Sequence, residues 1–347
     1  MEQKQRISAF VQLGEKLSQF LQKPSIFYVE DNDFKPLANA CLRSSQKNGW
    51  FTEDEIRRAI QGIVFLLESE KLESWIKSYD FSSTATKTIA TIFAGNIPAV
   101  GFHDWLSVLI SGNKVLAKLS SQDEYLIPAF SEILIEIEPR FSDFIEFAKT
   151  KMENIDAFIG TGSNNSARYF KYYFGKYPHI IRKNRTSVAI VKNDISKKDL
   201  SEMGKDLFYY YGLGCRNVTK IYFEKGFQLN RFFAAIIDFG YVIDNNKYGN
   251  NYIYNKTLFL MNSEKILDNN FVILRPGPEL NSQVGVINYE FFENEDNLRS
   301  ELKSQETQIQ AIISTKDIGF GKAQTPYLTD YADGINTLNF LANLAHH

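Results

Sequence analysis

Thr88-Ile89-Ala90-Thr91-Ile92-Phe93-Ala94, closed by Gly95-Asn96-Ile97-Pro98, is a short uncharged run that stops at a glycine and a proline. Rich in β-branched residues and bounded by turn formers, it reads as a strand buried on both faces. The pattern recurs downstream. A helix over Asp104 to Ile110 leads through Gly112-Asn113 to a second strand, Lys114-Val115-Leu116-Ala117-Lys118. A further helix covers roughly Asp123 to Ile137, and Ala157-Phe158-Ile159 then runs into Gly160-Thr161-Gly162-Ser163-Asn164-Asn165-Ser166. This βαβαβ series predicts a parallel α/β sheet. Its last turn places glycines, hydroxyls and backbone N–H groups at a helix start, a setting that suits a phosphate, although it is not the GxGxxG fingerprint.

Upstream, residues 1 to about 80 read as helices. Ile7, Phe10, Leu13, Leu17 and Phe20 share one face, and Ile56, Ile60, Ile63 and Leu67 form a second stripe. Thr52 followed by Glu55 has the spacing of a capping box. Trp50, Phe51, Trp75 and Phe81 are core by default, with the lining of an entrance for an apolar substrate as the alternative.

Downstream, Tyr209-Tyr210-Tyr211-Gly212-Leu213-Gly214-Cys215-Arg216-Asn217-Val218-Thr219-Lys220 holds one of the chain's 2 cysteines. Leu200, Met203, Leu207 and Tyr211 recur at helical spacing before it and a strand, Val218 to Phe223, follows, so Cys215 sits at a helix-to-strand junction. Gly212 and Gly214 leave space beside the sulfur, and Arg216 is a cation suited to lowering the thiol pKa. A thiol so placed suits a nucleophile, against the alternative of a small buried hydrophobe.

The 347 residues, 44% hydrophobic, suffice for a large core and about two domains. With 39 basic and 41 acidic residues, charge does not point to a nucleic-acid partner or to an anionic membrane surface. There is no apolar run of spanning length and no signal-peptide pattern at Met1-Glu2-Gln3-Lys4-Gln5-Arg6, so the cytoplasm is the expected location. Cys41 and Cys215 make no disulfide framework, and with 4 histidines, two of them His346 and His347, no metal site is expected.

Six segments carry a resemblance: Asn96-Ile97-Pro98; Gly112-Asn113 with Val115 and Lys118; Phe158-Ile159-Gly160-Thr161; Gly212-Leu213-Gly214-Cys215; Glu279-Leu280 with Val284; and Thr315-Lys316-Asp317. In that order they resemble the aldehyde dehydrogenase superfamily. Tyr211-Gly212-Leu213-Gly214-Cys215-Arg216-Asn217-Val218 and Tyr331-Ala332-Asp333-Gly334-Ile335-Asn336-Thr337 resemble its acyl-CoA reductase branch, to which the fatty-acid reductases of bacterial bioluminescence belong. The resemblance covers about residues 85 to 345.

It implies a Rossmann-type cofactor domain, residues 1–185 with 325–347 returning to it, and a second α/β catalytic domain, residues 186–324, with the site in the cleft. It also implies the roles. Cys215 matches the nucleophile that attacks a thioester or aldehyde carbonyl, and Asn96 the amide that stabilises the oxyanion. Lys118 matches the lysine on the adenine-side ribose, Glu279 the carboxylate on the nicotinamide-side ribose, and Gly160, Thr161, Gly162 and Ser163 the phosphate-side turn. Three residues after Lys118, where NAD-preferring relatives carry a glutamate, stands Ser121; it removes a charge that would repel a 2′-phosphate and favours NADPH, with NADH as the alternative.

Hydrolytic relatives carry a glutamate before the strand matching Ser187-Val188-Ala189-Ile190-Val191, whereas this chain reads His179-Ile180-Ile181-Arg182-Lys183-Asn184, with no carboxylate. An acyl group on Cys215 would then last long enough for hydride transfer or thiol exchange. The implied activity is reduction of acyl-CoA, or another acyl thioester, to aldehyde through an acyl-Cys215 intermediate, with a protein that transfers the acyl group as a further partner. A short-chain CoA-acylating aldehyde dehydrogenase and a non-reducing acyl-carrier subunit are the rivals. His103 and His179 are left without a catalytic role. The chain ends soon after Phe340, so the oligomerising strands of full-length relatives are expected to be shortened or absent, and the oligomeric state is left open.

Overall fold

The computed structural model describes residues 1–79, 81, 85–149 and 151–344; the terminal His346 and His347 lie outside them. The chain divides into two compact units, one of residues 1–184 with 327–347 and one of residues 185–326.

The first unit opens with four helices, α1 (Gln3–Leu21), α2 (Lys35–Lys47), α3 (Glu53–Leu66) and α4 (Ser69–Ile76). There follow β1 (Thr88–Ile92), α5 (Phe102–Ile110), β2 (Lys114–Lys118), α6 (Leu126–Ile137), β3 (Ile145–Phe147), β4 (Ala157–Thr161), α7 (Asn164–Phe174) and β5 (His179–Arg182). The strands form one parallel sheet in the order β3-β2-β1-β4-β5. Side chains alternate across a strand, and here each face has its own core. Ile89, Val115, Ala117, Ala157 and Ile159 join the core that includes Phe10, Leu13, Leu17 and Phe20 of α1 and Trp105 of α5. Ala90, Leu116 and Phe158 face the other way, against Phe170 and Phe174 of α7. Phe158 and Phe174 stack at 4.2 Å. The N-terminal stripes thus join the core on one side of the sheet, packing on the helices that cover it, and each fully buried Leu or Phe contributes about 1.5–3 kcal/mol.

Phe51, Trp75 and Phe81 are buried in this same core, the default reading, and Trp50 packs against it partly buried. Two expectations need correction here. Thr52 takes the N-cap position of α3 without a side-chain cap bond, and Glu55 turns instead to Arg58 at 2.9 Å. The α6 helix starts at Leu126, not Asp123, because Asp123 bends back to accept a hydrogen bond from the Ala99 N–H at 2.7 Å.

The second unit comprises β6 (Thr186–Val191), α8 (Lys197–Phe208), β7 (Val218–Glu224), α9 (Leu229–Ala235), α10 (Asn246–Met261), β8 (Leu267–Asp268), β9 (Ile273–Pro276), β10 (Val286–Phe292), α11 (Glu295–Ser304) and β11 (Ile309–Ile313). Its sheet runs β11-β6-β7-β10-β9-β8 and is parallel except for the β8–β9 pair. Val188, Ile190 and Tyr222 pack on Leu298 and Leu302 of α11, while Phe223 packs in a T-shaped contact on Phe232 of α9. Both sheets are therefore covered on two faces, which is why their central strands read as continuous apolar runs.

Candidate active site

In the first unit the candidate site residues gather at the C-terminal ends of β1, β2 and β4. Strand order reverses between β1 and β4, and in open α/β sheets ligands bind outside the carboxyl ends of strands at such a reversal. The Phe93 N–H bonds Lys118 O at 3.1 Å, extending the β1–β2 ladder by one residue. The chain then turns through Gly95, where a Cβ would meet Ser120 Cβ at 2.7 Å, so only glycine fits beside the residue 120–122 loop. Asn96, Lys118 and Ser121 are all exposed on this edge.

Ala99 has φ 53°, a strained value for an L-residue, and the buried Asp123 carboxylate holds it there. Burial pushes the Asp123 carboxyl up to about 7, against the opposing pull of its backbone N–H donors at Ala99 and Leu126. Asp123 thus braces the turn that carries Asn96.

At the end of β4, Gly160 is buried and Ser163 is exposed. The Gly162 N–H bonds Arg182 O at 3.2 Å, and Ser163 caps α7 by accepting the Ser166 N–H at 3.1 Å. This helix start faces the same edge as the β1 turn. The structure therefore brings Asn96, Lys118, Ser121 and the residue 160–163 turn to one end of one sheet.

The second unit carries Cys215 and Glu279. Helix α8 ends at Phe208, and Tyr210 (φ 54°), Tyr211 (φ 55°) and Gly212 (φ 76°) follow in left-handed conformation. Tyr211 is therefore not the last residue of the helical stripe; the chain has already turned. Two successive non-glycine residues in this region are costly and persist only where the surroundings hold them. Asn217, which is fully buried, clamps this turn. Its Oδ1 accepts the Gly214 N–H at 2.8 Å, and its Nδ2 donates to Asp206 O and Tyr209 O, each at 3.0 Å. Ser187 Oγ, from β6, donates to Cys215 O at 3.0 Å. Cys215 is exposed at the crest of this braced turn, whereas Cys41 is buried and its thiol is pushed far up by burial. The reading of Cys215 as a small buried hydrophobe is thereby excluded.

Asp206 ties the end of α8 to the residue 319–325 loop, accepting the N–H groups of Gly321 at 2.6 Å and Ala323 at 2.9 Å. Burial pushes it up to about 6, against those two bonds. Glu279 lies in the loop between β9 and β10, its side chain 53% exposed and 3.8 Å from Arg275 Nη1.

Other segments of the resemblance make bracing contacts. Asp317 pairs with Arg299 through two bonds at 3.2 and 2.8 Å. Tyr331 accepts the Trp75 Nε1 hydrogen bond at 2.7 Å, and Thr337 Oγ1 accepts one from Arg182 at 2.8 Å. Arg182 also pairs with Asp104 at 2.6 Å. The segment read as lacking a carboxylate does meet one in space: the Lys183 N–H lies 3.4 Å from Asp333 Oδ2. His103 Nε2 bonds Leu328 O at 3.0 Å and His179 Nδ1 bonds Tyr177 O at 2.8 Å. Among the described residues no cluster of three or more His, Cys, Asp or Glu side chains is placed to hold a metal ion, and no helix is long and apolar enough to cross a membrane.

Asn217, Asp206, Asp123 and Ser187 escaped the sequence reading. Asp206 left a trace, because it interrupts the apolar Leu200-Met203-Leu207 stripe three residues after Met203.

The sequence model of the acyl-CoA reductase (LuxC) family matches residues 30–237, more than half of the chain. The chain belongs to that family. This acyl-CoA reductase family member is an oxidoreductase that acts on acyl or aldehyde substrates. No curated protein matches it. Among solved structures, indole-3-acetaldehyde dehydrogenase AldA of Pseudomonas syringae, in complex with NAD+, is 12% identical with a TM-score of 0.62, covering 86% of this chain and 69% of that one. The aldehyde dehydrogenase KauB of Pseudomonas aeruginosa is 12% identical with a TM-score of 0.63, covering 90% and 76%. An aldehyde dehydrogenase of Mycobacterium tuberculosis complexed with NAD+ is 12% identical with a TM-score of 0.62, covering 86% and 70%. The acyl-CoA reductase family member shares the aldehyde dehydrogenase fold.

Proposed function

We propose that this protein reduces an acyl-CoA, or another acyl thioester, to the aldehyde with NADPH, through an acyl thioester on Cys215. The observation that supports this reading best is the exposed Cys215 on a turn braced by Asn217 and Ser187, in a chain of the acyl-CoA reductase (LuxC) family. In the first step the Cys215 thiolate adds to the thioester carbonyl, the tetrahedral oxyanion expels the CoA thiolate, and the acyl group stays on sulfur. In the second the carbonyl carbon of acyl-Cys215 gains a hydride, and the resulting thiohemiacetal releases aldehyde and regenerates the thiolate. Asn96 is the side-chain donor to the oxyanion in both steps; a donor of this kind contributes about 3–4 kcal/mol.

The residues at the ends of β1, β2 and β4 fit a dinucleotide: a β1 turn that tolerates only glycine at Gly95, a helix start at Ser163, and exposed Lys118 and Ser121. Two of the similar aldehyde dehydrogenases are complexed with NAD+, which supports a nicotinamide cofactor. When bound, the nicotinamide supplies the hydride. Lys118 and Ser121 hold the adenine-side ribose and its 2′-phosphate, Gly160 to Ser163 the phosphates, and Glu279 the nicotinamide-side ribose. The unit of residues 1–184 and 327–347 is the cofactor-binding domain in this reading, and residues 185–326 form the catalytic domain. A cytoplasmic setting keeps Cys215 reduced. A protein that transfers the acyl group is a further partner in this reading.

The test is intact-protein mass after mixing with acyl-CoAs of graded chain length, with and without NADPH, for the parent and Cys215→Ala. An adduct that needs Cys215 and is lost with NADPH, releasing aldehyde, is expected. An adduct that survives NADPH would favour an acyl carrier, and the absence of any adduct would remove Cys215 from the chemistry.

A further inference from the structure

Lys220 lies in the middle of β7, between Val188 of β6 and Asn288 of β10, with its side chain fully buried. An ammonium in that position is costly unless it is paired and hydrogen-bonded. Its Nζ meets Glu290 Oε2 at 2.8 Å and also donates to the carbonyl of Gly277. Desolvation holds its pKa below the ordinary lysine value, opposed by Glu290. The cross-strand neighbour Asn288 is also buried, and its Nδ2 donates to Glu279 O at 3.0 Å and Asn281 O at 2.9 Å. Thr219, beside Lys220 on β7, donates from Oγ1 to Leu280 O at 2.6 Å.

Three side chains of the sheet therefore hold the carbonyls of residues 277, 279, 280 and 281. A sheet interior needs no lysine or asparagine for its own packing; apolar residues of similar volume serve it as well. What this set does is fix the backbone of one loop from below, while the Glu279 carboxylate stays half exposed above it. We propose that Thr219, Lys220 and Asn288 are positioning residues for Glu279, preorganising its carboxylate for the ribose of the nicotinamide cofactor. The inference rests on the reading of Glu279 given under the proposed function. It assigns to residues next to the nucleophile strand a task in cofactor binding rather than in acylation.

The experiment measures two quantities on the full chain: the NADPH dissociation constant by fluorescence titration, and the rate of Cys215 acylation by octanoyl-CoA without cofactor, read by intact mass. Lys220→Met and the nearly isosteric Thr219→Val are each compared with Glu279→Gln and with the double variants. The expected result is NADPH binding weakened by about tenfold for Lys220→Met, the scale of one charge-assisted bond, and by about threefold for Thr219→Val, the scale of a neutral bond, with acylation unchanged in both. Once Glu279→Gln is present, Lys220→Met should weaken binding little further, because both act through one carboxylate. Thr219→Val keeps the test alive should Lys220→Met fold poorly. The inference is overturned if both variants bind NADPH as the parent does while Glu279→Gln binds it weakly. It is overturned equally if acylation and binding fall together, or if the losses add. Should Glu279→Gln itself bind NADPH normally, the assignment of Glu279 falls first and the inference with it.

Discussion

Asn217 holds Gly214 across the nucleophile turn: its Oδ1 accepts the Gly214 N–H at 2.8 Å while the Gly214 carbonyl accepts the Asn217 N–H at 3.0 Å. Cys215 lies between these two residues, so its backbone is set by a closed pair of bonds on either side. The Nδ2 group extends the same clamp to Asp206 O and Tyr209 O. Asn217→Ala removes three side-chain bonds of a fully buried residue and should lower the unfolding free energy by about 2–4 kcal/mol. Acylation of Cys215 should slow by about tenfold to a hundredfold, since small displacements of a nucleophile are costly. Urea unfolding and an intact-mass time course measure the two effects. Parental acylation in a destabilised Asn217→Ala protein would show that Ser187 and the left-handed tyrosines hold the turn by themselves.

Asp206 should make stability depend on pH. Its folded carboxyl is pushed up to about 6, above the ordinary unfolded value of about 4. Between those values the folded state binds the proton more tightly than the unfolded one. The group's contribution therefore falls as pH rises from about 4 to 6, by at most about 1.4 kcal/mol per unit, and is level above that window. Asp206→Asn abolishes this component and also turns an amide group toward the N–H donors of Gly321 or Ala323. Denaturant midpoints at about pH 4.5 and 7 should show the parent and variant curves diverging in slope. Parallel curves would mean that the Asp206 carboxyl titrates alike in the folded and unfolded states.

In the first unit β1, β2 and β4 were legible because they are short apolar runs bounded by Gly-Asn-Ile-Pro, Gly-Asn or Gly-Thr-Gly, whereas the outer strands β3 and β5, shorter and carrying charged or polar residues, were not. The helix-to-strand junction that carries Cys215 was legible for the same local reason, two glycines just before the cysteine and an apolar strand after it. What holds these residues was not. Asp123 and Asp206 act on N–H groups far away in sequence, and their burial is visible only once the loops they anchor are in place. Lys220 resembles an ordinary strand-edge charge until its two neighbouring strands enclose it. Thr52 shows the converse error: the spacing of a capping box was present, but Glu55 found a partner one turn on in Arg58.

Gly95→Ala should damage the β1 turn chiefly through its clash with Ser120. A Cβ there would strike the Ser120 side chain and come within 3.2 Å of Gln122 Cβ, so either the turn or the residue 120–122 loop must move. NADPH affinity should drop by about tenfold or more, the usual scale of a small-to-large clash of 1–3 kcal/mol. Ser120→Gly in the same chain removes the struck atoms and should restore most of the loss. A second-site change that restores nothing would place the effect in the backbone of the turn rather than in that contact.

Ser121→Glu tests cofactor choice. Ser121 is exposed three residues beyond Lys118, at the end of β2, where the proposed function places the 2′-phosphate of NADPH. A carboxylate there opposes a phosphate carrying nearly two negative charges. At about 4 Å in water each pair of unit charges costs about 1 kcal/mol, so the NADPH dissociation constant should rise by about tenfold or more. NADH lacks that phosphate, and a carboxylate can accept bonds from its ribose hydroxyls, so its affinity should hold or improve. The penalty for NADPH should also shrink as salt is raised, because exposed charges are screened over a Debye length of about 10 Å at 0.1 M. Fluorescence titration of both cofactors at low and high salt measures all three effects. An NADPH-to-NADH ratio that Ser121→Glu leaves unchanged would place the 2′-phosphate away from Ser121, and the preference for NADPH would lose its physical basis.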